Sequence, residues 1–264
     1  MIQSKNGKLK VYHNPSFESD NVLVVFHGTP LLKETAKRLQ AYELKYQPRT
    51  KRKIYMPYTS KNTSTSNYKQ LINEMREVYN LMKPSLLNAT EIDIAGHSYG
   101  PVKSLAFLSA IMEDKEHGRE ILKKVKNLHI YNGLIECELN SNHSLSENLK
   151  ILFFKLRQFI KSLLYDERAI LKGPNAIKYL RELSKNTEFK PEILITYNPN
   201  DRLAPNSTSY MKEGSSRLNI LNIPHRIVND MNTEQYDARY RHSTNMPVSM
   251  RFEQNKERFP TLQK

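Results

Sequence analysis

A serine stands between two glycines near the middle of the chain, in the run GHSYG at residues 96–100. A serine hydroxyl is a poor nucleophile unless a neighbouring base takes its proton, and a tight turn from strand to helix is one way to expose it. Such a turn crowds the backbone, so the positions two before and two after the serine must be small, as Gly96 and Gly100 are. The stretch therefore predicts that Ser98 is a nucleophile for acyl transfer.

The segments on both sides of Ser98 have the patterns that such a turn requires. The run EIDIA before it is typical of a buried strand, and VKSLAFLSAIME after it is typical of a helix. Pro101 suits the first turn of that helix, because its missing N–H would be unpaired there in any case. The Tyr99 amide, directly after the nucleophile, is then expected to supply one donor of an oxyanion hole.

A second oxyanion donor is expected from the loop after an earlier strand. The run VVFHGTP at 24–30 is an apolar strand that leads into His27 and Gly28. Thr29 has an amide to donate, whereas Pro30 has none. The alternative interpretation is that Gly28 only opens a turn before a helix.

Short β-like runs alternate with helical patterns, which predicts a mostly parallel central sheet with helices on both sides. The pattern breaks at 140–185, which has helical patterns and no clear strand, so we expect a helical cap there and a core formed by residues 1–139 and 186–264. The strand candidates are 8–14, 21–28, 53–58, 91–96, 124–133, 192–201 and 217–225. The helix candidates are 31–46, 68–87 with an end near Pro84, a helix after Ser98 through about 114, and one beyond 226.

This order of a strand ending in HG-x, further strand–helix units and a strand ending in GxSxG resembles the α/β-hydrolase superfamily. The resemblance covers most of residues 8–228. It implies the α/β-hydrolase fold, with 140–185 as the variable cap or lid. It also implies a catalytic triad in the chain order nucleophile, acid, base, where the acid follows the strand after the cap and the histidine follows the last strand.

The resemblance implies Asp201 as the acid, because this residue ends the strand-like run EILITYNPND. A turn-capping role for Asp201 is the alternative. His225 ends the run LNILNIPH and is favoured as the base, while His242 in ARYRHST stays an alternative base. Glu136 and Glu138 are alternative acids, since some family members place the acid one strand earlier.

Such a triad makes a serine hydrolase, an esterase- or lipase-like enzyme that cleaves a carboxylic ester or thioester through an acyl-enzyme. Two other functions remain open at this point. One is an acyltransferase or peptidase that uses the same triad, and the other is a noncatalytic α/β-hydrolase scaffold that binds an anionic partner. The sequence shows no metal-binding cluster and no phosphate-binding glycine loop, so we expect no cofactor.

The chain is strongly basic, with 41 Lys and Arg against 27 Asp and Glu, a formal net charge of +14 and a pI of about 9.6. Such a charge attracts anionic partners. Residues 147–173 combine apolar residues at helical spacing with Lys and Arg, which predicts a cap helix that roofs the active site or, alternatively, meets an anionic membrane or a long acyl chain. We expect a small-molecule or lipid ester substrate, with an anionic membrane surface or an acidic protein as alternative partners, and no sequence-specific nucleic-acid recognition.

The composition bounds the remaining possibilities. A chain of 264 residues is long enough for one large core, although its hydrophobic fraction is only 38% and its mean hydropathy is −0.66. The single cysteine, Cys137, excludes an intrachain disulfide and a cysteine-rich metal site. The first residues lack the apolar core of a signal peptide and no apolar run reaches the ~18–20 residues of a membrane span, so we expect a cytoplasmic protein, with export by a route that needs no cleavable signal as the alternative.

Overall fold

The computed structural model describes a part of the chain that includes most of the first 28 residues and the whole of 68–131. The described ranges are 1–4, 9–28, 51–59, 68–131, 181–186, 188–198, 225–229 and 247–258, together with residues 41, 43–45, 48, 50, 145, 149, 152, 153 and 156. Everything said below about the structure concerns these residues.

Eight strands form one sheet in the order β1-β2-β4-β3-β5-β6-β7-β8. The two pairs at the amino-terminal edge, β1 with β2 and β2 with β4, are antiparallel, and the other five pairs are parallel. The predicted mostly parallel sheet is therefore confirmed. The strands are β1 (Ile2–Gln3), β2 (Leu9–Tyr12), β3 (Asn21–Phe26), β4 (Lys53–Thr59), β5 (Glu91–His97), β6 (Val125–Tyr131), β7 (Glu192–Tyr197) and β8 (His225–Asn229).

The helices are α1 (Tyr68–Asn88), α2 (Gly100–Met112), α3 (Gly118–Lys124) and α4 (Val248–Arg258). The predicted end of α1 near Pro84 is wrong, because the helix runs four residues further, to Asn88. Proline removes the hydrogen bond to the carbonyl four residues earlier, and here both Pro84 and Asn80 are exposed, so water can satisfy that carbonyl. Beyond the proline, Leu86 is fully buried, and this packing holds the last turn in place.

One face of the sheet packs against α1, α2 and α3 through the main apolar core. Every second residue of the central strands points into it, which is the two-residue period of a strand. All residues of α2 from Gly100 to Ile111 are buried, so this helix is enclosed by protein and its start is fixed directly after β5. The strand residues of this core include Val22, Val24, Phe26, Ile92, Ile94, Leu128, Ile130, Ile193 and Ile195.

The other face of the sheet packs against α4 through a smaller apolar cluster. Polar and charged side chains are buried in the same layer, among them Arg52, Asp93, Asn127 and His129. The apolar members are Leu23, Val25, Ile54, Ala95, Tyr131, Val248 and Phe252, with the partly buried Leu44 against them. The two faces of one sheet are therefore chemically different.

Few residues of the predicted cap at 140–185 are described. The apolar residues Leu145, Leu149, Leu152, Phe153 and Leu156 are helical and exposed. At the other end of the segment Leu183 is helical and fully buried in the main core. The boundaries of the cap remain a prediction. Within the part of the chain that the structure describes, no helix has both the length and the apolar character needed to cross a bilayer.

Candidate active site

Ser98 occupies a sharp turn between β5 and α2. Its φ is 59°, in the left-handed region that side-chain-bearing residues rarely adopt. Holding a serine there costs on the order of 1–3 kcal/mol, so the surrounding structure must enforce it. Helix α2 begins two residues later with Pro101 in its first turn, and Ser98 itself is partly exposed. This is the strand–turn–helix geometry that the GxSxG pattern predicts.

The two glycines of the pattern are required by close contacts across the turn. A Cβ at Gly96 would lie 2.6 Å from the backbone nitrogen of Pro101. A Cβ at Gly100 would lie 1.9 Å from the carbonyl oxygen of Phe26, at the end of β3. Any larger residue would force β5, α2 or β3 apart. The glycines therefore let three elements meet around Ser98.

The strand register brings the carboxyl ends of the central strands to one edge of the sheet. Phe26 pairs with Gly96, His97 pairs with Tyr131, and Tyr131 pairs with Thr196. The backbone N–H of Ser98 donates to the Tyr131 carbonyl at 3.1 Å, which ties the turn to the end of β6. In parallel sheets the loops at this edge form the ligand site. The loops after β3, β5, β6 and β7 therefore start beside one another.

The loop after β3 touches the serine. A Cβ at Gly28 would lie 2.8 Å from Cβ and 3.0 Å from Oγ of Ser98, so only a glycine fits against the hydroxyl. This is the neighbourhood in which the second oxyanion donor is predicted, although Thr29 itself lies outside the described residues. Tyr99, the source of the first predicted donor, is buried at the amino end of α2. The positive end of the helix dipole favours negative charge at this position.

The three candidate acids follow strands that end at this edge, Asp201 after β7 and Glu136 and Glu138 after β6. Strand β7 ends at Tyr197, and the next residue, Asn198, is fully buried. Asp201 comes three residues later and Glu136 comes five residues after the end of β6, but both lie outside the described residues. After β6 and after β7 the chain leaves the sheet at the edge where Ser98 lies. The choice of the catalytic acid among these residues stays a prediction.

The structure does not bring His225 to Ser98, and the favoured base has to be corrected. His225 is the first residue of β8, where it pairs with Ile193, so it stands level with Ile94 on β5. It lies three strands across the sheet and four residues back along it from Ser98, roughly 14 Å in one direction and 13 Å in the other. The strand predicted over 217–225 falls outside the described residues except for His225, which begins a strand and does not follow one.

His242, the alternative base, lies in the segment that joins β8 to α4, outside the described residues. The carboxyl end of β8 is level with that of β7, since Asn229 pairs with Tyr197. The segment therefore leaves the sheet at the same edge as the Ser98 turn. The run HRIVN, with its adjacent Ile227 and Val228, was the signal in the sequence for a strand that starts at His225.

One buried carboxylate near the site was missed by sequence reasoning. Glu43 is fully buried, and its two oxygens accept the backbone N–H groups of Val248 at 2.6 Å and Ser249 at 2.9 Å. Nε2 of His27 lies 3.1 Å from the same carboxylate, at ion-pair distance although it is not aligned as a hydrogen bond. Burial opposes the charge, but the contacts with His27 and Ser249 outweigh it and the pKa of Glu43 is lowered. No local pattern singles it out, because Glu43 is one of several polar residues in the predicted helix 31–46.

A second polar group supports the strand end that holds Ser98. The Tyr131 hydroxyl lies 2.9 Å from Nδ1 of His129, and the Arg251 guanidinium lies 4.9 Å from the centre of the Tyr131 ring. Nη2 of Arg251 donates to the Thr196 hydroxyl at 3.3 Å. Burial, with help from the positive charges of Lys256 and Arg52, lowers the pKa of His129 to about 3. His129 is therefore neutral near pH 7, and it acts as a packing and hydrogen-bonding group.

Among the described residues, no group of three or more His, Cys, Asp or Glu side chains is arranged to hold a metal ion. Because the loops that carry Asp201, Glu136 and His242 are not described, the expectation that the protein needs no cofactor stays a prediction.

No protein-family model matches the chain, and no curated protein matches it significantly. Solved structures do resemble it. The Pyrococcus furiosus esterase Pf2001 is 14% identical, with 97% of this chain and 88% of that chain covered and a TM-score of 0.58. Thermogutta terrifontis esterase 2, solved after phosphonylation by sarin, is 12% identical, with coverages of 86% and 80% and a TM-score of 0.55.

A third similar structure is a thermostable esterase from Pseudomonas putida, 15% identical over 87% of this chain and 71% of that chain, with a TM-score of 0.51. At identities of 12–15%, the similarity shows that the fold is shared and nothing more. It agrees with the eight-stranded, mostly parallel sheet and its flanking helices described above. The chain has the α/β-hydrolase fold.

Proposed function

We propose that this protein is a serine hydrolase that cleaves a carboxylic ester through an acyl-enzyme on Ser98. The observation that carries the proposal is the contact between Gly28 and Ser98, in which a strained serine just before a helix faces a backbone that approaches so closely that a Cβ would collide with the serine side chain. A purely structural turn has no need of a partly exposed serine in the left-handed region. The names of the similar solved structures, which are esterases, support an ester substrate.

The proposed mechanism assigns one role to each group. Oγ of Ser98 attacks the carbonyl carbon while the base takes the hydroxyl proton, and the base later returns that proton to the leaving group. The amides of Tyr99 and Thr29 donate to the oxygen that becomes negative. Water then attacks the acyl-enzyme, and the acid product leaves.

For the base we propose His242, with Asp201 as the group that orients it. This choice rests on the β8 register, which keeps His225 far from Ser98 and starts the His242 segment at the Ser98 edge. For the acid, Asp201 follows β7 within a short loop, and β7 lies next to β8 in the sheet. An acid and a base from neighbouring strand ends can reach each other over a short distance.

The test uses a fluorophosphonate probe and a p-nitrophenyl ester, with the wild-type chain and Ser98→Ala. We expect the wild type to gain one phosphonyl group at Ser98 by mass spectrometry and to hydrolyse the ester, and Ser98→Ala to do neither. Ser104→Ala is the matched control, because it removes the hydroxyl of another serine, which is buried in the helix after Ser98 and donates to the Gly100 carbonyl. Absence of labelling in a folded wild type would instead favour a noncatalytic scaffold for anionic partners.

A specific observation favours a lipid-like ester within this proposal. Five helical residues of the predicted cap segment expose large apolar side chains at helical spacing, namely Leu145, Leu149, Leu152, Phe153 and Leu156. Together with the net charge of +14, such a surface would suit an acyl chain or an anionic lipid surface. A series of p-nitrophenyl esters from acetate to decanoate tests this, since kcat/KM should rise with chain length. A maximum at acetate would restrict the substrate to small esters.

A further inference from the structure

The Glu43 carboxylate joins two segments of the candidate site that are far apart in sequence. It accepts hydrogen bonds from Val248 and Ser249, the first residues of α4, more than 200 residues away. The first N–H groups of a helix have no partner within the helix, so a carboxylate there both satisfies them and complements the helix dipole. Glu43 thus fixes where α4 begins, directly after the segment that contains His242.

The same carboxylate reaches the other side of the site through His27. This histidine follows β3 and directly precedes Gly28, whose backbone lies against Ser98. Nε2 of His27 is 3.1 Å from Oε1 of Glu43, the oxygen that also accepts the Val248 N–H. A displacement of Glu43 would therefore shift both the turn at Gly28 and the start of α4.

We infer that Glu43 is a positioning residue of the esterase site, which holds the oxyanion turn after β3 and the start of α4 in a fixed relation. The inference rests on the proposed function, because it assigns a catalytic consequence to this contact. Glu43 touches no reacting atom. It acts through His27 and Gly28 on one side, and through the helix start that follows the His242 segment on the other.

A helix cap alone would not require the His27 contact, and this separates the inference from a stabilising role. A cap needs only the two backbone donors of α4. Glu43 additionally brings its charge to the end of β3, in a fully buried position where an unpaired carboxylate would be costly. The buried carboxylate is thus in contact with two segments, the end of β3 and the start of α4, and both belong to the candidate site.

The central experiment compares Glu43→Gln with Glu253→Gln. The glutamine amide presents an N–H₂ group in place of one carboxylate oxygen, so in either orientation one helix N–H, that of Val248 or of Ser249, loses its acceptor, and the negative charge beside His27 is removed. Glu253 lies on α4, the helix that Glu43 caps, and its ion pair is with Arg52 and not with His27. It is therefore a matched control. Both variants should lose thermal stability.

We expect Glu43→Gln to lower kcat for the p-nitrophenyl ester by roughly ten- to a hundredfold, with KM within twofold, because small misplacements of catalytic groups act on the rate. Glu253→Gln should keep kcat within about threefold of wild type at a temperature well below both melting points, as expected for a change away from the reacting groups. An equal loss of kcat in the two variants would overturn the inference, since a general destabilisation of α4 would then explain both.

His27→Ala keeps the inference testable where Glu43→Gln does not fold. It removes the link to the turn and leaves both hydrogen bonds to α4 intact. We expect a fall in kcat with the Val248 and Ser249 amides still protected from hydrogen exchange. A wild-type kcat in His27→Ala would contradict a positioning role for the contact.

Hydrogen exchange separates a failure of this inference from a failure of the proposed function. Peptides that cover 22–28 and 247–252 are compared in wild type, Glu43→Gln and Glu253→Gln. Faster exchange in both peptides for Glu43→Gln, but not in 22–28 for Glu253→Gln, would support the coupling even if the chain hydrolysed no ester. Unchanged exchange in 22–28 for Glu43→Gln would refute it even in an active enzyme.

Discussion

The two faces of the central sheet are built from different chemistry. On the face covered by α1, α2 and α3, alternate strand residues are aliphatic or aromatic and form one continuous core. On the face covered by α4, the intervening residues of the same strands include Asp93, Asn127, His129 and Thr196, all buried. Both faces exclude water, but the buried carboxylate, amide and imidazole groups of these strands lie on the second.

The polar face is organised around a buried ion pair. Nε of Arg52 donates to Oδ2 of Asp93 at 2.7 Å, and Nδ2 of Asn127 donates to Oδ1 of the same carboxylate at 2.6 Å. Arg52 also forms an ion pair with Glu253 of α4 and lies 5.3 Å from the centre of the Phe252 ring. Two strands, the residue before β4 and α4 are thereby joined through directional contacts.

This difference explains how the helices on each side are held against the sheet. An apolar core tolerates small changes of shape, because dispersion and burial are not directional. A buried polar network is stabilising only when every member is paired, and it then specifies one arrangement. Here the specified arrangement fixes how α4 packs on the sheet, whereas the apolar face mainly supplies stability.

The largest effect is expected from Arg52→Met. It leaves Asp93 buried with Asn127 as its remaining described partner, and breaking a buried pair on one side costs about 3–5 kcal/mol of unfolding free energy. Urea denaturation of wild type and variant measures the loss. We attribute this loss of unfolding free energy to the burial of the ion pair, and not to the removal of an arginine as such.

Arg76→Met is the matched control for this substitution. Arg76 also donates through Nε to a carboxylate at 2.7 Å, that of Glu113, but the two side chains are 46% and 44% exposed. An exposed pair contributes roughly 0–1 kcal/mol, so the control should barely change the denaturation midpoint. Equal losses of unfolding free energy in the two variants would show that the buried ion pair on the polar face contributes no more to stability than an exposed one.

The pH dependence of stability tests the neutral state of His129. Its pKa falls from the ordinary 6.5 to about 3 in the folded chain. Between these values only the unfolded chain binds the proton, so stability is complete above pH 6.5 and decreases by about 1.4 kcal/mol per pH unit as the pH falls towards 3. In His129→Gln the slope of unfolding free energy between pH 4 and 6 should drop by this amount.

Phe252→Leu serves as the control for His129, because it removes the aromatic ring whose centre lies 4.4 Å from that of the imidazole and removes no titratable group. This variant should be less stable at every pH and keep the wild-type slope. If His129→Gln has the wild-type slope instead, the buried histidine is not the source of the acid sensitivity.

The smallest effect is expected on the apolar face. Ile92→Val removes one methylene group from a fully buried position at the amino end of β5, away from Ser98. Such a change typically costs about 0.5–1.5 kcal/mol, and we expect no change in kcat because no directional contact is lost. Calorimetry and ester hydrolysis measure the two quantities, and a fall in kcat without a matching loss of stability would contradict the division of roles between the faces.

The sequence was informative where both faces of a strand are buried and apolar. The runs at β3 and β5 were predicted to within two residues, because near-continuous apolar runs bounded by glycine are typical of strands that helices cover on both sides. The turn at Ser98 followed from two glycines that crowding requires. Helix α3, only seven residues long, had too little periodicity to be predicted.

The rest depended on contacts between residues distant in the chain. His225 was chosen as the base since an apolar run precedes it, but the strand pairing starts at His225 and keeps it away from the site. Glu43 read as one polar residue in a helical pattern, and its partners lie more than 200 residues later. Such partnerships are set by the fold, and no local spacing reveals them.

The most direct test of the proposed site is the rate of fluorophosphonate labelling at Ser98 in His242→Ala and His225→Ala, measured by intact mass and peptide mapping. We expect a wild-type rate for His225→Ala and a loss of roughly a thousandfold or more for His242→Ala, as expected when the base of a serine triad is removed. The reverse result, with labelling lost in His225→Ala and kept in His242→Ala, would contradict both the strand register at β8 and the proposed site.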